Sequence, residues 1–148
     1  GKVVGVLEMT PNFMVTGEAA IIYEDFKKNL DTSKLVGLDP VTILRMYTQA
    51  EMEREYEVVQ ALIPTTVNIY NYDIEDIKEI LDGKYYGATD RERQSIYASI
   101  NNGLAEAEFT IVTPKMSAEV MFYMEKTTEM SIKYPMFYNA QGFWEVPF

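Results

Sequence analysis

Eleven tyrosines and 23 acidic residues, with no histidine and no cysteine, bound the chemistry this chain can carry. Without histidine, the commonest general acid/base and the imidazole metal ligand are missing, and no Ser-His or Cys-His triad can be assembled. Without cysteine, disulfides, thiol chemistry and thiolate metal sites are excluded as well, although this does not fix the compartment. Carboxylate and phenol chemistry remains. An apolar cavity can raise the pKa of a carboxyl group while tyrosines donate to a developing oxyanion. Tyr47, Tyr56, Tyr123 and Tyr134 are candidate donors, and Asp73 or Asp76 a candidate carboxylate. Each also has a plainer reading. Asp73 and Asp76 fit a helix cap and a first-turn charge, and tyrosines at helical or strand spacing usually pack in a core with the hydroxyl reaching water. No residue is assigned a catalytic role.

Other chemistries are weaker still. Asp73-x-Glu75-Asp76 and Glu51-x-Glu53-x-Glu55 lack the glycine turn and alternating oxygens of a calcium loop, so both read as solvated helix faces and no metal site is expected. Gly83-Lys84-Tyr85-Tyr86-Gly87 does not match the Gly-x-x-x-x-Gly-Lys-Ser/Thr spacing of a phosphate loop, and no cofactor is expected. The clearest surplus is of adaptable apolar side chains: 11 Tyr, 7 Phe, 9 Met and 1 Trp. Such residues suit binding surfaces. Met121, Tyr123, Phe137 and Trp144 fall where both faces of their strands read as apolar, leaving area for helices, a small apolar ligand or a partner to cover. Core packing is favoured there, and a homodimer through the open sheet face is the next simplest cover.

The elements that position these residues follow from pattern. At 148 residues the chain has the length of one domain, and folding would remove on the order of 70% of its surface from water. A formal charge of −10 repels phosphate backbones and anionic lipid, so nucleic acid is not expected as a partner. No run approaches the ~18 apolar residues of a membrane span.

The first 15 residues read as an extended arm broken at Thr10-Pro11-Asn12. Ala19, Ile22, Tyr23, Phe26 and Leu30 then keep i, i+3, i+4 spacing, which predicts a helix over 17–30 with Glu18 and Lys27-Lys28 complementing its dipole. Asp39-Pro40 is the clearest helix start in the chain, an N-cap followed by proline. Ile43, Leu44, Tyr47 and Ala50 form an inward stripe; it resumes offset at Tyr56, Val59 and Leu62, which predicts two helices meeting near 51–55. Residues 67–72 alternate as a short strand. Asp73 caps a helix through Ile74, Ile77, Ile80 and Leu81 that Gly83 would end, and Thr89-x-x-Glu92 is a capping box for another, closed by Asn102-Gly103.

After Gly103 the period changes from 3.6 to 2. Ala105, Ala107, Phe109 and Ile111 face one way, opposite a wet face of Glu106, Glu108 and Thr110. Ala118, Val120, Phe122 and Met124 form the strand expected at the centre. Met130, Ile132, Tyr134, Met136 and Tyr138 follow, with Pro135 favouring an edge or bulge, and Asn139 to Gly142 turns the chain into Phe143-Trp144-Glu145-Val146. Four such strands in succession make an antiparallel meander. With no repeat or long linker, residues 1–148 are expected to form one α+β domain.

Asp39-Pro40 through Ala50, then Tyr56, Val59 and Leu62, resembles the opening helices of the NTF2-like superfamily. Tyr134-Pro135-Met136 and Gly142-Phe143-Trp144-Glu145-Val146 are similar to that superfamily's closing hairpin, where Gly-x-Trp-x-Val is common. The likeness covers 38–148 and leaves 1–37 as an N-terminal arm and an extra helix. It implies a cystatin-like cone: N-terminal helices packed on a C-terminal curved antiparallel sheet around a pocket that the extra helix could fill or cover. Small extracytoplasmic bacterial proteins are the subgroup it resembles; because the chain opens on Gly1 rather than Met, a native N-terminus that could carry a signal peptide is expected to be missing, and export is the expectation, with a cytoplasmic location as the alternative. Short apolar motifs report fold better than activity. The expectation is thus a non-catalytic ligand-binding or protein-interaction module, with Tyr47, Tyr56, Met121, Tyr123, Tyr134, Phe137 and Trp144 as pocket or interface candidates. The alternative is a small acid/base enzyme of ketosteroid-isomerase type.

Overall fold

The computed structural model describes residues 15–63, 72–83, 89–113, 117–123 and 131–147. Their architecture is α+β. Five α-helices, α1 (Gly17–Asn29), α2 (Pro40–Glu53), α3 (Tyr56–Leu62), α4 (Ile74–Gly83) and α5 (Asp90–Leu104), precede strands β1 (Glu108–Thr113), β2 (Ser117–Tyr123), β3 (Ser131–Tyr138) and β4 (Trp144–Glu145). A short 3₁₀ helix, Thr32–Leu35, joins α1 to α2. The strands form one antiparallel sheet in the order β1-β2-β3-β4. The expected arm at 1–14, strand at 67–71 and the segment 84–87 that follows Gly83 lie outside the described residues. Among the described residues no helix is long and apolar enough to cross a membrane.

Local chemistry sets the helix boundaries. The Asp39 carboxylate accepts the Thr42 N–H at 2.7 Å, and Pro40 occupies the first turn, where its missing N–H costs nothing. The capping box at α5 is reciprocal: Thr89 Oγ1 accepts the Glu92 N–H at 3.1 Å while Glu92 accepts the Thr89 N–H at 2.7 Å. Asp73 and Asp76 exchange the same pair of bonds at the start of α4, which commits both to capping. The expected break near 51–55 lies at Arg54, left-handed at φ 62°, and separates α2 from α3.

α2 is the structural axis. Pro40, Ile43, Leu44, Met46, Tyr47, Thr48, Gln49, Ala50 and Glu51 are all buried, so it is enclosed on nearly every side. It packs against α3, α5 and the sheet. α1 is tied to it by a polar network around Glu53. The Tyr23 hydroxyl donates to Glu53 Oε1 at 2.7 Å, Gln49 Nε2 donates to Oε2 at 3.2 Å, and Gln49 Oε1 accepts the Val15 N–H at 2.9 Å. Burial, followed by the Glu53 contact, holds the Tyr23 phenol well above its ordinary range. The expectation that Glu51, Glu53 and Glu55 form a solvated face is corrected here. Glu51 is 3% exposed, and Glu53 is half-buried within this network.

Three expectations about glycines and strands also change. Gly83 is the last residue of α4 and is not left-handed. Gly103 closes no turn; it lies inside α5, where a Cβ would collide with the Tyr123 carbonyl and approach Phe122 Cδ2 at 2.9 Å. Its role is close approach of helix to strand. β1 is an edge strand whose apolar side is not sealed: Phe109 and Ile111 are 44% and 47% exposed. Their cross-strand partners Val120 and Ala118, on interior strand β2, are fully buried. Pro135 is accommodated because β4 pairs only with Phe137 and Tyr138, which leaves β3 an edge at that level among the described residues.

The turn into β4 is built by one side chain. Asn139 Oδ1 accepts the N–H groups of Gln141, Gly142 and Phe143 at 3.0, 3.0 and 3.1 Å, and Gly142 adopts φ 99°, which a residue with a Cβ resists. Beyond it Glu145 is buried, and desolvation raises its carboxyl pKa while the neighbouring Asn139 amide pulls the other way. A folded-state pKa above the unfolded one makes stability fall as pH rises through that interval, since the unfolded chain gives up the proton first. Glu145→Gln should therefore stabilise the protein at pH 7 and flatten its stability profile just above the ordinary carboxylate range. Denaturant midpoints from pH 4 to pH 8 would check this, and an unchanged profile would show that the Glu145 carboxylate is solvated.

Candidate functional site

Between α2, α5 and the helix-facing side of the sheet lies a cavity of about 200 Å³. Leu44, Tyr47, Thr48 and Glu51 of α2 form one wall; Ile100 of α5, Phe122 of β2 and Ile132 and Tyr134 of β3 form the others. The four α2 residues recur at i, i+3, i+4 and i+7, which places them on a single helix face. Phe122 and Ile132 are direct cross-strand partners, as are Val120 and Tyr134, so the sheet register places Ile132 and Tyr134 on the cavity side of β3.

Two of the residues expected to form a site, Tyr47 and Tyr134, meet here. The Tyr134 hydroxyl donates to the Pro147 carbonyl at 3.3 Å. Tyr47 is 2% exposed, and its hydroxyl is buried without a hydrogen-bond partner. Burial and then the nearby Glu51 charge hold the Tyr47 phenol well above its ordinary pKa, with Tyr134 and Tyr97 adding to the effect. Glu51 is therefore an electrostatic neighbour of that hydroxyl, although their geometry falls short of a hydrogen bond. Thr48 Oγ1 donates to the Leu44 carbonyl at 2.9 Å, a bond within the helix.

The remaining candidates are dispersed. Tyr56 begins α3 and is half-buried, with the Lys78 ammonium 5.7 Å from its ring centroid. Met121 and Phe137 are half-buried on the opposite face of the sheet, where Tyr123 is 45% exposed. Trp144 is a core residue, 8% exposed, with its ring centroid 4.9 Å from that of Tyr138. The extra helix α1 supplies none of the cavity wall and packs instead on α3 and the 3₁₀ turn.

Glu51 is the residue that the sequence reading missed. It lies four residues after Tyr47, in phase with the inward stripe, but alternation with Glu53 and Glu55 disguised it as part of a charged face. Asp73 and Asp76, the expected carboxylates, belong to α4 and do not line the cavity. Among the described residues no group of three or more acidic side chains is gathered as a metal ion would require. The arrangement can enclose a small apolar body and present to it one carboxyl group and two phenols. No family model matches this chain, and no curated protein or solved structure matches it.

Proposed function

We propose that this chain is a non-catalytic module that binds a small apolar ligand in the cavity between α2, α5 and the sheet. The reading is carried by an apolar space of about 200 Å³ walled by four separate elements. An apolar cavity of about 150 Å³ is enough to hold benzene. Drug-sized ligands need about 300 Å³ or more, so the occupant is the size of a single ring. Helices laid against one face of a meander also support an NTF2-like cone. Calorimetric titration with toluene tests the binding reading. Saturable one-to-one uptake is expected, and Ile100→Phe, which fills the space, should abolish it. Uptake that Ile100→Phe leaves unchanged would place the site elsewhere.

The buried Glu51 beside Tyr47 favours one second reading, a small acid/base enzyme. The cavity volume argues against a steroid-sized substrate and for a small cyclic ketone. Deuterium exchange at the α-carbons of cyclohexanone, lost in Glu51→Gln, would establish it; equal rates in the two proteins would remove it.

A further inference from the structure

We propose that the free edge of β1 docks an extended peptide segment in which apolar and basic residues alternate, so that the segment becomes an added strand of the sheet. Glu108, Phe109, Thr110, Ile111 and Val112 are five consecutive residues of β1, and all are exposed. Among the described residues only β2 pairs with β1, so the other side of β1 presents unpaired backbone N–H and C=O groups. Three of the five side chains are large and apolar, and Val112, at the register shift where the regular ladder ends, is 61% exposed. Such an edge is a template for strand addition, in which the main chain supplies affinity and alternate side chains supply specificity.

The charges beside the edge define the segment that fits. Phe109 and Ile111 pair with Val120 and Ala118 and so share the helix-facing side, whereas Glu108 and Thr110 pair with Met121 and Glu119 and share the outer face. A strand laid along β1 therefore meets apolar side chains at one set of alternate positions. At the other set it meets Glu108, with Glu119 one strand farther in. Neither carboxylate, nor that of exposed Glu106 just before the strand, forms an ion pair among the described residues. Lysine or arginine at the outer positions of the added strand complements them. A second copy of this chain does not: β1 itself carries no basic residue, and each copy brings a charge of −10. The occupant is thus a cationic segment of another protein.

The test titrates the protein with the peptide acetyl-Lys-Val-Lys-Val-Lys-Val-amide at pH 7 and ~0.15 M salt, where long-range attraction to the surface charge is largely screened. The backbone amide resonances of residues 108–112 should shift and their hydrogen exchange should slow, while those of Leu44 and Ile100 in the cavity wall stay in place. The same residues in blocks, Lys-Lys-Lys-Val-Val-Val, keep the charge and lose the alternation; the glutamate counterpart keeps the alternation and reverses the charge. Each is expected to bind at least about tenfold more weakly. Glu108→Lys, at an exposed position, should remove the preference for the lysine peptide over the glutamate one. Equal affinity for the alternating and block peptides would reduce the attraction to diffuse charge and overturn the proposal. A lysine preference that survives Glu108→Lys, shifts confined to another surface, or no binding at all would overturn it as well. Protection of β1 that grows with protein concentration and needs no peptide would make a second copy the occupant, against the proposal.

Discussion

Trp144→Ala is expected to destabilise the protein by about 3–5 kcal/mol, the range for removing a large aromatic side chain from a core. The ring is 8% exposed, packs against Tyr138 and belongs to the same hydrophobic cluster as Phe143 and Val146. β4 is only two residues long, so backbone pairing alone holds it weakly and the side chain must anchor it. The next residues depend on that anchor, because the Val146 N–H donates to the Leu62 carbonyl at 2.7 Å and ties the end of the sheet to α3. Urea denaturation would measure the loss. A cost under about 1 kcal/mol would mean that the indole lies at the surface and is free for binding.

Gly103→Ala sets two effects against each other. Alanine in a helix interior is favoured over glycine by about 1 kcal/mol, so propensity alone predicts stabilisation. The added methyl, however, collides with the Tyr123 carbonyl and approaches Phe122 Cδ2 at 2.9 Å. A ring can rotate, but a backbone oxygen on an interior strand cannot move without carrying the sheet with it. Overpacking of this kind costs about 1–3 kcal/mol, occasionally more, and with a backbone obstacle the upper part of that range applies. The net expectation is a loss of about 2 kcal/mol by denaturant titration. Phe122 lines the cavity, so the same substitution should also weaken toluene uptake. A gain in stability would show that α5 and β2 are farther apart than described.

What was legible in the sequence was local. Asp39, Thr89 and Glu92 announce helix starts because a cap is a contact across three residues, readable from types and spacing. The meander was legible for a similar reason: period-2 alternation and short connections leave little choice of order. Gly103 was misread because its reason for being glycine is a strand 20 residues away, which spacing cannot reveal. β1 was misread in part because alternation reports which side chains share a face, not whether anything covers that face. The candidate site divides along the same line. Tyr47 and Tyr134 were visible as aromatic positions on elements expected to face each other. Glu51 was hidden because its burial depends on α5 and β3 closing over the last turn of α2, and a glutamate among other glutamates gives no local sign of that.

The cavity between α2, α5 and the sheet is the centre of this account, and a crystal structure of the chain under xenon pressure tests it most directly, since apolar cavities of this size take up xenon. A xenon atom is expected among Leu44, Ile100, Phe122 and Ile132, with the surrounding side chains unmoved. Ordered water filling the space, or side chains collapsed into it, would contradict it.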